Sequence, residues 1–292
     1  MSKITGESFK VITIILIGWS AFAFADVTSK ILSEGYHPAF ILIINGLLAL
    51  ILLIGTILFQ KGLKGFLSPN WKWLIVRGAC IAVTATGVVN ALALIPIADL
   101  YGITFSAPFI AVVLSVIFLR ESVGLHRWVS IIIGFTGVLI LLGPQFNTMN
   151  TGILFAIAAT ISIAVGTIII RKIGKYEYLP LFVLYPYIGI LAVNIPLGIP
   201  EIKPIAAENL HLFIMNAILV LVGQLGVTWG TANAKATASV APFVYIQVVW
   251  GIALGFLFFG DIPSITTSIG LFLVMTAGLY MIYRENKLNR KT

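Results

Sequence analysis

The chain has 292 residues, 60% of them hydrophobic and 10% charged, with a mean hydropathy of +1.08. A soluble domain is about 25% charged and about 45–50% apolar, so this composition excludes water as the main solvent and points to lipid. The net charge of +8 lies in short segments between apolar runs, with no continuous basic face, which argues against nucleic-acid binding. A single cysteine, Cys80, excludes an internal disulfide framework or a cysteine-based metal site.

Lys3, Lys10, the apolar run Val11–Gly18 and Ala23-Phe24-Ala25 imitate a secretory signal with its cleavage site. Apolar character resumes after Asp26, however, and residues 11–32 are long enough to span as helix, so they are read as a first transmembrane segment. Trp19, Ala23, Asp26 and Lys30 share one helical face. Asp26 lies within the span, where a carboxylate costs about 2.5–3.5 kcal/mol at the helix centre and less towards an end. Two arrangements satisfy it: Asp26 lines a cavity, or it pairs along the helix with Lys30 one turn later.

The second and third spans cover 38–59 and 73–94. In the third, Arg77 is expected to snorkel to the interface, while Thr86 and Asn90, four residues apart, offer hydrogen bonds to a cavity or to a neighbouring helix. The fourth, 98–119, aligns Tyr101, Phe105, Pro108 and Val112 on one face, and Pro108 removes one backbone donor. The fifth, 128–142, is short and suits a locally thin bilayer.

The remaining spans are 151–170, 179–199, 210–231, 237–259 and 264–283. Gln224, Thr228 and Thr231 form a polar stripe in the eighth, with Trp229 adjacent. In the ninth, Pro242 stands near the start, and Tyr245, Gln247 and Trp250 precede Gly251-Ile252-Ala253-Leu254-Gly255, a spacing that lets helices approach closely. Trp250 faces either the interior or lipid. Glu121 and Asp261 end corresponding helices and are expected at the membrane interface, Glu121 near Arg127, in architectural roles.

The expected fold is therefore all-α and integral to the membrane, with ten transmembrane helices. With both termini cytoplasmic, one side holds nearly all the Lys and Arg, and the other only Lys30 and Lys203. That asymmetry follows the positive-inside rule and fixes the expected orientation in a cytoplasmic (inner) membrane. An internal echo supports it: Ser20…Lys30…Tyr36…Pro38 recurs as Ser162…Lys172…Tyr178…Pro180, and Phe118…Glu121…Thr136 as Phe258…Asp261…Thr276. The chain divides into repeats 1–145 and 146–292 with five helices each, and an odd number makes the second repeat inverted. Such inverted repeats suit alternating access around a site near the bilayer midplane.

Ile97-Ala98-Asp99, Phe105-Ser106-Ala107-Pro108-Phe109, Phe118-Leu119-Arg120-Glu121 and Gly134-Phe135-Thr136-Gly137-Val138, with Ala236–Ser239 and Ala241-Pro242-Phe243 in the second half, resemble the EamA-type branch of the drug/metabolite transporter superfamily. Within that branch, Asp26-Val27-Thr28-Ser29-Lys30 looks like the S-adenosylmethionine uptake carriers. The chain departs from those carriers at Asn45, Val244 and Gln247. The resemblance implies a permease with ten helices, and it implies that Tyr245 lies in the substrate cavity.

The expected function is secondary transport of a small polar or amphipathic metabolite: an amino acid, an S-adenosylmethionine-like compound or a relative. The expected substrate-binding residues are Trp19, Asp26, Lys30, Asn90, Tyr101, Phe105, Gln224, Trp229, Tyr245 and Gln247. No catalytic or metal-ligating group and no cofactor is expected, since His37, His126 and His211 sit at separate helix ends and no nucleophile–base constellation occurs. The expected partners are the substrate, the lipid bilayer and a coupling ion (a proton) or exchange substrate, with the protein a monomer or homodimer. The competing class is a non-transporting membrane protein: a sensor, an assembly partner or a membrane enzyme with an unrecognised site.

Overall fold

The computed structural model describes residues 2–119, 124–142, 150–233 and 241–289. Helices account for most of them, and no strand occurs among the described residues. In chain order these are α1 (Ser2–Ser33), α2 (Pro38–Lys61), α3 (Trp71–Leu92), α4 (Ile97–Thr104), α5 (Ala107–Leu119), α6 (Leu125–Leu142), α7 (Thr151–Ile173), α8 (Leu179–Gly198), α9 (Leu210–Asn233), α10 (Ile246–Phe259) and α11 (Ile265–Asn289). A 3₁₀ turn, Ala241–Tyr245, leads into α10. Among the described residues, seven segments are long and apolar enough to cross a membrane, and three shorter apolar helices accompany them: Trp128–Leu142, Phe243–Phe259 and Ile265–Tyr280. Large apolar side chains such as Phe59, Ile51 and Phe272 stand exposed on the outside of the bundle. A surface of this kind belongs against lipid.

Local chemistry sets the boundaries. The His37 ring nitrogen caps α2 by accepting the Ala39 N–H at 3.2 Å, with Pro38 at the first helical position. The Asn150 side chain caps α7 through the Gly152 N–H at 2.9 Å.

The fourth predicted span, read as one helix over 98–119, is in fact two. Pro108 has no N–H to give the Thr104 carbonyl, and the chain turns at Phe105-Ser106 between α4 and α5. Hydroxyls supply donors at the break: Ser106 Oγ donates to the Ile103 carbonyl at 2.7 Å and Thr104 Oγ1 to the Leu100 carbonyl at 3.0 Å.

α1 lies along α9, α3 along α7 and α8, α2 along α8, and α6 along α11. Lipid tails are as apolar as leucine, so these contacts depend on close packing and buried polar bonds rather than on hydrophobic burial. Where α3 crosses α8, a Cβ on Gly78 would lie 2.7 Å from the Tyr185 carbonyl oxygen. Asn216 of α9 joins three helices: its Nδ2 reaches the Ala25 carbonyl, Thr28 Oγ1 and Ser29 Oγ of α1 at 2.6–2.9 Å, and its Oδ1 accepts from Asn45 of α2 at 2.6 Å.

Candidate functional site

The first cluster forms where α1, α4 and the turn before α10 meet. Tyr101 Oη donates to Asp26 Oδ2 at 2.6 Å. The Tyr101 ring lies 5.6 Å from Phe105, and Phe105 lies 5.5 Å edge-on to Tyr245. All three aromatics are buried. A four-residue helical step aligns Tyr101 with Phe105, and the Pro108 break allows this short helix to end against Tyr245. Trp250 closes the adjoining face of α1: its indole N–H donates to Ser20 Oγ at 2.9 Å and its ring lies 5.1 Å from Phe24. Its polar contact therefore points into the protein rather than to lipid.

Lys30 does not pair with Asp26. Its ammonium sits 3.3 Å from Asp261 Oδ2, donates to the Ile95 carbonyl at 3.3 Å, and lies 4.9 Å from the Phe259 ring centroid. The intrahelical alternative fails because Tyr101 already holds the Asp26 carboxylate, while Asp261 is delivered from another part of the chain. Gly260 makes that delivery: at φ +67° it takes the left-handed conformation that ends α10. The Asp261 N–H then reaches back to the Gly255 carbonyl at 3.1 Å, which turns the Asp261 side chain towards α1. The role of Asp261 is accordingly to tie α1 to the α10–α11 turn.

Beside this ion pair lies a cavity of about 340 Å³ lined by Pro96, Asp99, Gly251, Gly255, Asp261 and Thr267, among others. Asp99 is buried in its wall and accepts a hydrogen bond from Thr267 Oγ1 at 2.8 Å. The volume suits a small metabolite. Neither Asp99 nor the Lys30–Asp261 pairing was expected from sequence, because each depends on a contact between distant parts of the chain.

The other expected site residues are dispersed. Gln247 is buried in α10, near Tyr245 in sequence. Asn90 is half-buried and donates to the Thr86 carbonyl of its own helix at 2.7 Å. Trp19 packs against Phe22, with ring centroids 5.9 Å apart. Gln224 is half-buried next to Gly223, which faces Phe22. Trp229 lies far from Asp26, with the Lys10 ammonium 5.7 Å from its ring centroid. The structure thus unites Asp26, Tyr101, Phe105 and Tyr245, sets Lys30 one turn beyond them, and leaves Trp229 at the other end of α1. Pro242 falls in the 3₁₀ turn before α10; Glu121, the partner expected for Arg127, and Ala236–Ser239 lie outside the described residues.

Arg77 is a second correction. It does not snorkel but is fully buried, with 0% of its surface exposed. Pro186 stands inside α8 and cannot donate to the Phe182 carbonyl four residues before it. Arg77 Nε takes that carbonyl at 3.3 Å. A proline-interrupted span opposite an arginine was the signal available in the sequence, but nothing there pairs the two helices.

Partial exposure bounds what the Lys30–Asp261 bridge contributes, since its side chains are 18% and 30% exposed. Such pairs contribute about 0–1 kcal/mol. A thermal-unfolding double-mutant cycle of Lys30→Gln and Asp261→Asn is expected to give coupling of that order. The corresponding cycle of Lys30 with Asp26 is expected to give less, and a larger coupling there would refute the observed pairing.

Residues 9–143 match the model of the EamA-like transporter family. The chain is 28% identical to an S-adenosylmethionine uptake transporter of Rickettsia bellii, over 93% of this chain and 94% of that one. It is 25% identical to a riboflavin transporter of Vibrio cholerae over 68% of this chain and 66% of that one. It is also 24% identical to the pseudopaline exporter CntI of Pseudomonas aeruginosa, over 70% and 72%. One solved crystal structure, 15% identical, shares the fold with a TM-score of 0.66 over 97% of this chain and 99% of its own. The family match over residues 9–143 and the transporter relatives along the chain support a multi-pass membrane transporter of small metabolites, similar in its first half to EamA-like transporters, rather than an enzyme.

Proposed function

We propose that the protein is a secondary transporter that moves a small charged metabolite across the cytoplasmic membrane by alternating access, with an S-adenosylmethionine-like compound as the leading substrate class. The observation that carries the reading is the Asp26–Tyr101 pair, a half-buried carboxylate at the head of a row of aromatic rings, Tyr101, Phe105 and Tyr245, where α1, α4 and the turn before α10 meet. A carboxylate offers a counter-charge, and aromatic faces hold sulfonium, ammonium and flat heteroaromatic groups alike. Asp26 also offers a proton-coupling site; exchange against a second substrate is the other source of driving force.

The ten-crossing architecture of two inverted halves belongs to the same proposal, and the helix packing supports it. With α4–α5 as the fourth span and α10 in the ninth, the first span packs on the eighth and the sixth on the third. In the same way, the first meets the ninth and the sixth meets the fourth. The second with the seventh, and the fifth with the tenth, complete the pairs that interchange when each span is replaced by the one five positions away. A twofold axis in the membrane plane relates halves in this way.

Proteoliposomes test the function. Radiolabelled S-adenosylmethionine is expected to accumulate or exchange in vesicles containing the protein and not in empty ones, with riboflavin as the comparison. No flux of either compound rejects the substrate class. Reporter fusions after residues 35, 67 and 147 are expected to read outside, inside and outside; one reversed reading overturns the ten-span topology with cytoplasmic termini.

A further inference from the structure

We propose that Arg77 is a second substrate-contacting point, one that receives a carboxylate of the transported metabolite. The inference rests on the transporter reading and extends it from the cationic end of the substrate to the anionic end. Arg77 crosses from α3 to two other helices. Its Nε donates to the Phe182 carbonyl at 3.3 Å, its Nη2 donates to Thr228 Oγ1 at 3.1 Å, and the guanidinium lies 4.0 Å from the Phe182 ring centroid. Nη1 has no partner although it is buried. Among the described residues, no carboxylate comes within 4.0 Å of the group, whose neighbours are a neutral carbonyl, a neutral hydroxyl and an arene.

A structural role explains only part of this arrangement. The Phe182 carbonyl, freed by Pro186, needs one donor, and Nε provides it. The guanidinium has five donors in a planar fork, and its Nη1–Nη2 edge is held only by the Thr228 hydroxyl. That edge matches a carboxylate, which accepts two parallel N–H bonds. The exchange conserves hydrogen bonds: the carboxylate replaces Thr228 as acceptor, and the Thr228 hydroxyl turns from acceptor to donor towards it. Gln224 stands one turn away on the same face of α9 and extends the polar surface.

The position constrains the ligand. Gly18 of α1 abuts Val227, where an added Cβ would lie 2.9 Å from the Val227 nitrogen. Arg77 therefore binds α9 at the level of Gly18, eight residues and about 12 Å along α1 from Asp26 at about 1.5 Å per residue. A free α-amino acid carries both charges on one carbon and cannot touch Asp26 and Arg77 together. A longer metabolite, with a cationic centre and a terminal carboxylate, reaches both. In this conformation Arg77 is enclosed, because α3 and α8 touch through Gly78 and Tyr185. Pro186 interrupts α8 beside that contact and supplies the flexing point at which the crevice opens.

Thermal stability of the purified full-length protein tests the proposal, with sodium acetate as a minimal carboxylate probe against sodium chloride at equal ionic strength. Acetate is expected to raise the wild-type Tm above the chloride value, and Arg77→Gln is expected to abolish the difference. Thr228→Val removes one hydrogen bond from the free site and one from the occupied site, leaves Arg77 in place and is expected to keep the response, so the test does not depend on a single variant's folding. No acetate effect on wild type, or an equal effect in Arg77→Gln, overturns the site. A second pair of probes, S-adenosylmethionine and its decarboxylated form, separates the two proposals. Arg77→Gln is expected to weaken the former at least tenfold and the latter little. If neither binds while the acetate response still requires Arg77, the substrate class falls and the carboxylate site stands.

Discussion

Asp26→Asn protein is expected to fold normally and to lose uphill transport. The amide oxygen of asparagine still accepts the Tyr101 hydroxyl now bound at 2.6 Å, so the substitution removes the charge and little else. Hydrogen bonds to charged groups contribute about 1.5–3 kcal/mol, and each 1.4 kcal/mol is about tenfold in affinity. If the carboxylate faces the substrate's cationic group, binding weakens by about ten- to hundredfold. If it carries the coupling proton instead, accumulation stops while equilibrium exchange continues. Binding, exchange and net uptake measured on one preparation separate these outcomes.

Tyr101→Phe is the complement, keeping the charge and removing its donor. Adding Lys30→Gln to Asp26→Asn is expected to rescue nothing, because Lys30 is bound to Asp261. Normal binding and normal uphill uptake by a well-expressed Asp26→Asn protein would remove the residue from the mechanism.

Gly78→Val is expected to prevent stable folding, whereas Gly55→Val, also within a membrane helix, is expected to be tolerated. A Cβ at Gly78 meets the backbone carbonyl of Tyr185 at 2.7 Å, and α8 cannot retreat without losing the Phe182–Arg77 hydrogen bond. At Gly55 a Cβ meets nothing within 4 Å. Overpacking a tight contact costs about 1–3 kcal/mol, and here the obstacle is backbone rather than a side chain that can turn away. Fluorescence-detected size exclusion of both variants in detergent gives the comparison. A monodisperse, wild-type-like Gly78→Val protein would show that α3 and α8 do not approach as closely as this structure has them.

The membrane class and the helices were legible in the sequence because they depend on local quantities. About 20 apolar residues in succession need no partner to declare a span. The EamA-type resemblance was equally legible, through residues close together in the chain. The Pro108 break was half-visible: the missing donor was plain, but that the helix stops at Phe105-Ser106 rather than bending was not.

What the chain alone could not decide was pairing. Asp26 and Lys30 are one turn apart and of opposite charge, so a local reading joins them; the fold gives each a stronger claimant, Tyr101 from α4 and Asp261 from the turn after α10. Arg77 reads as an interfacial cation until α8 and α9 enclose it. A helical span announces its hydrophobicity residue by residue, but a buried charge is satisfied by partners at any distance along the chain. Sequence thus determined that this protein lives in a membrane and which polar groups sit within it. Only the tertiary packing decided which of those groups meet, because the charged groups Asp26, Lys30 and Arg77 find their partners on other elements of the fold.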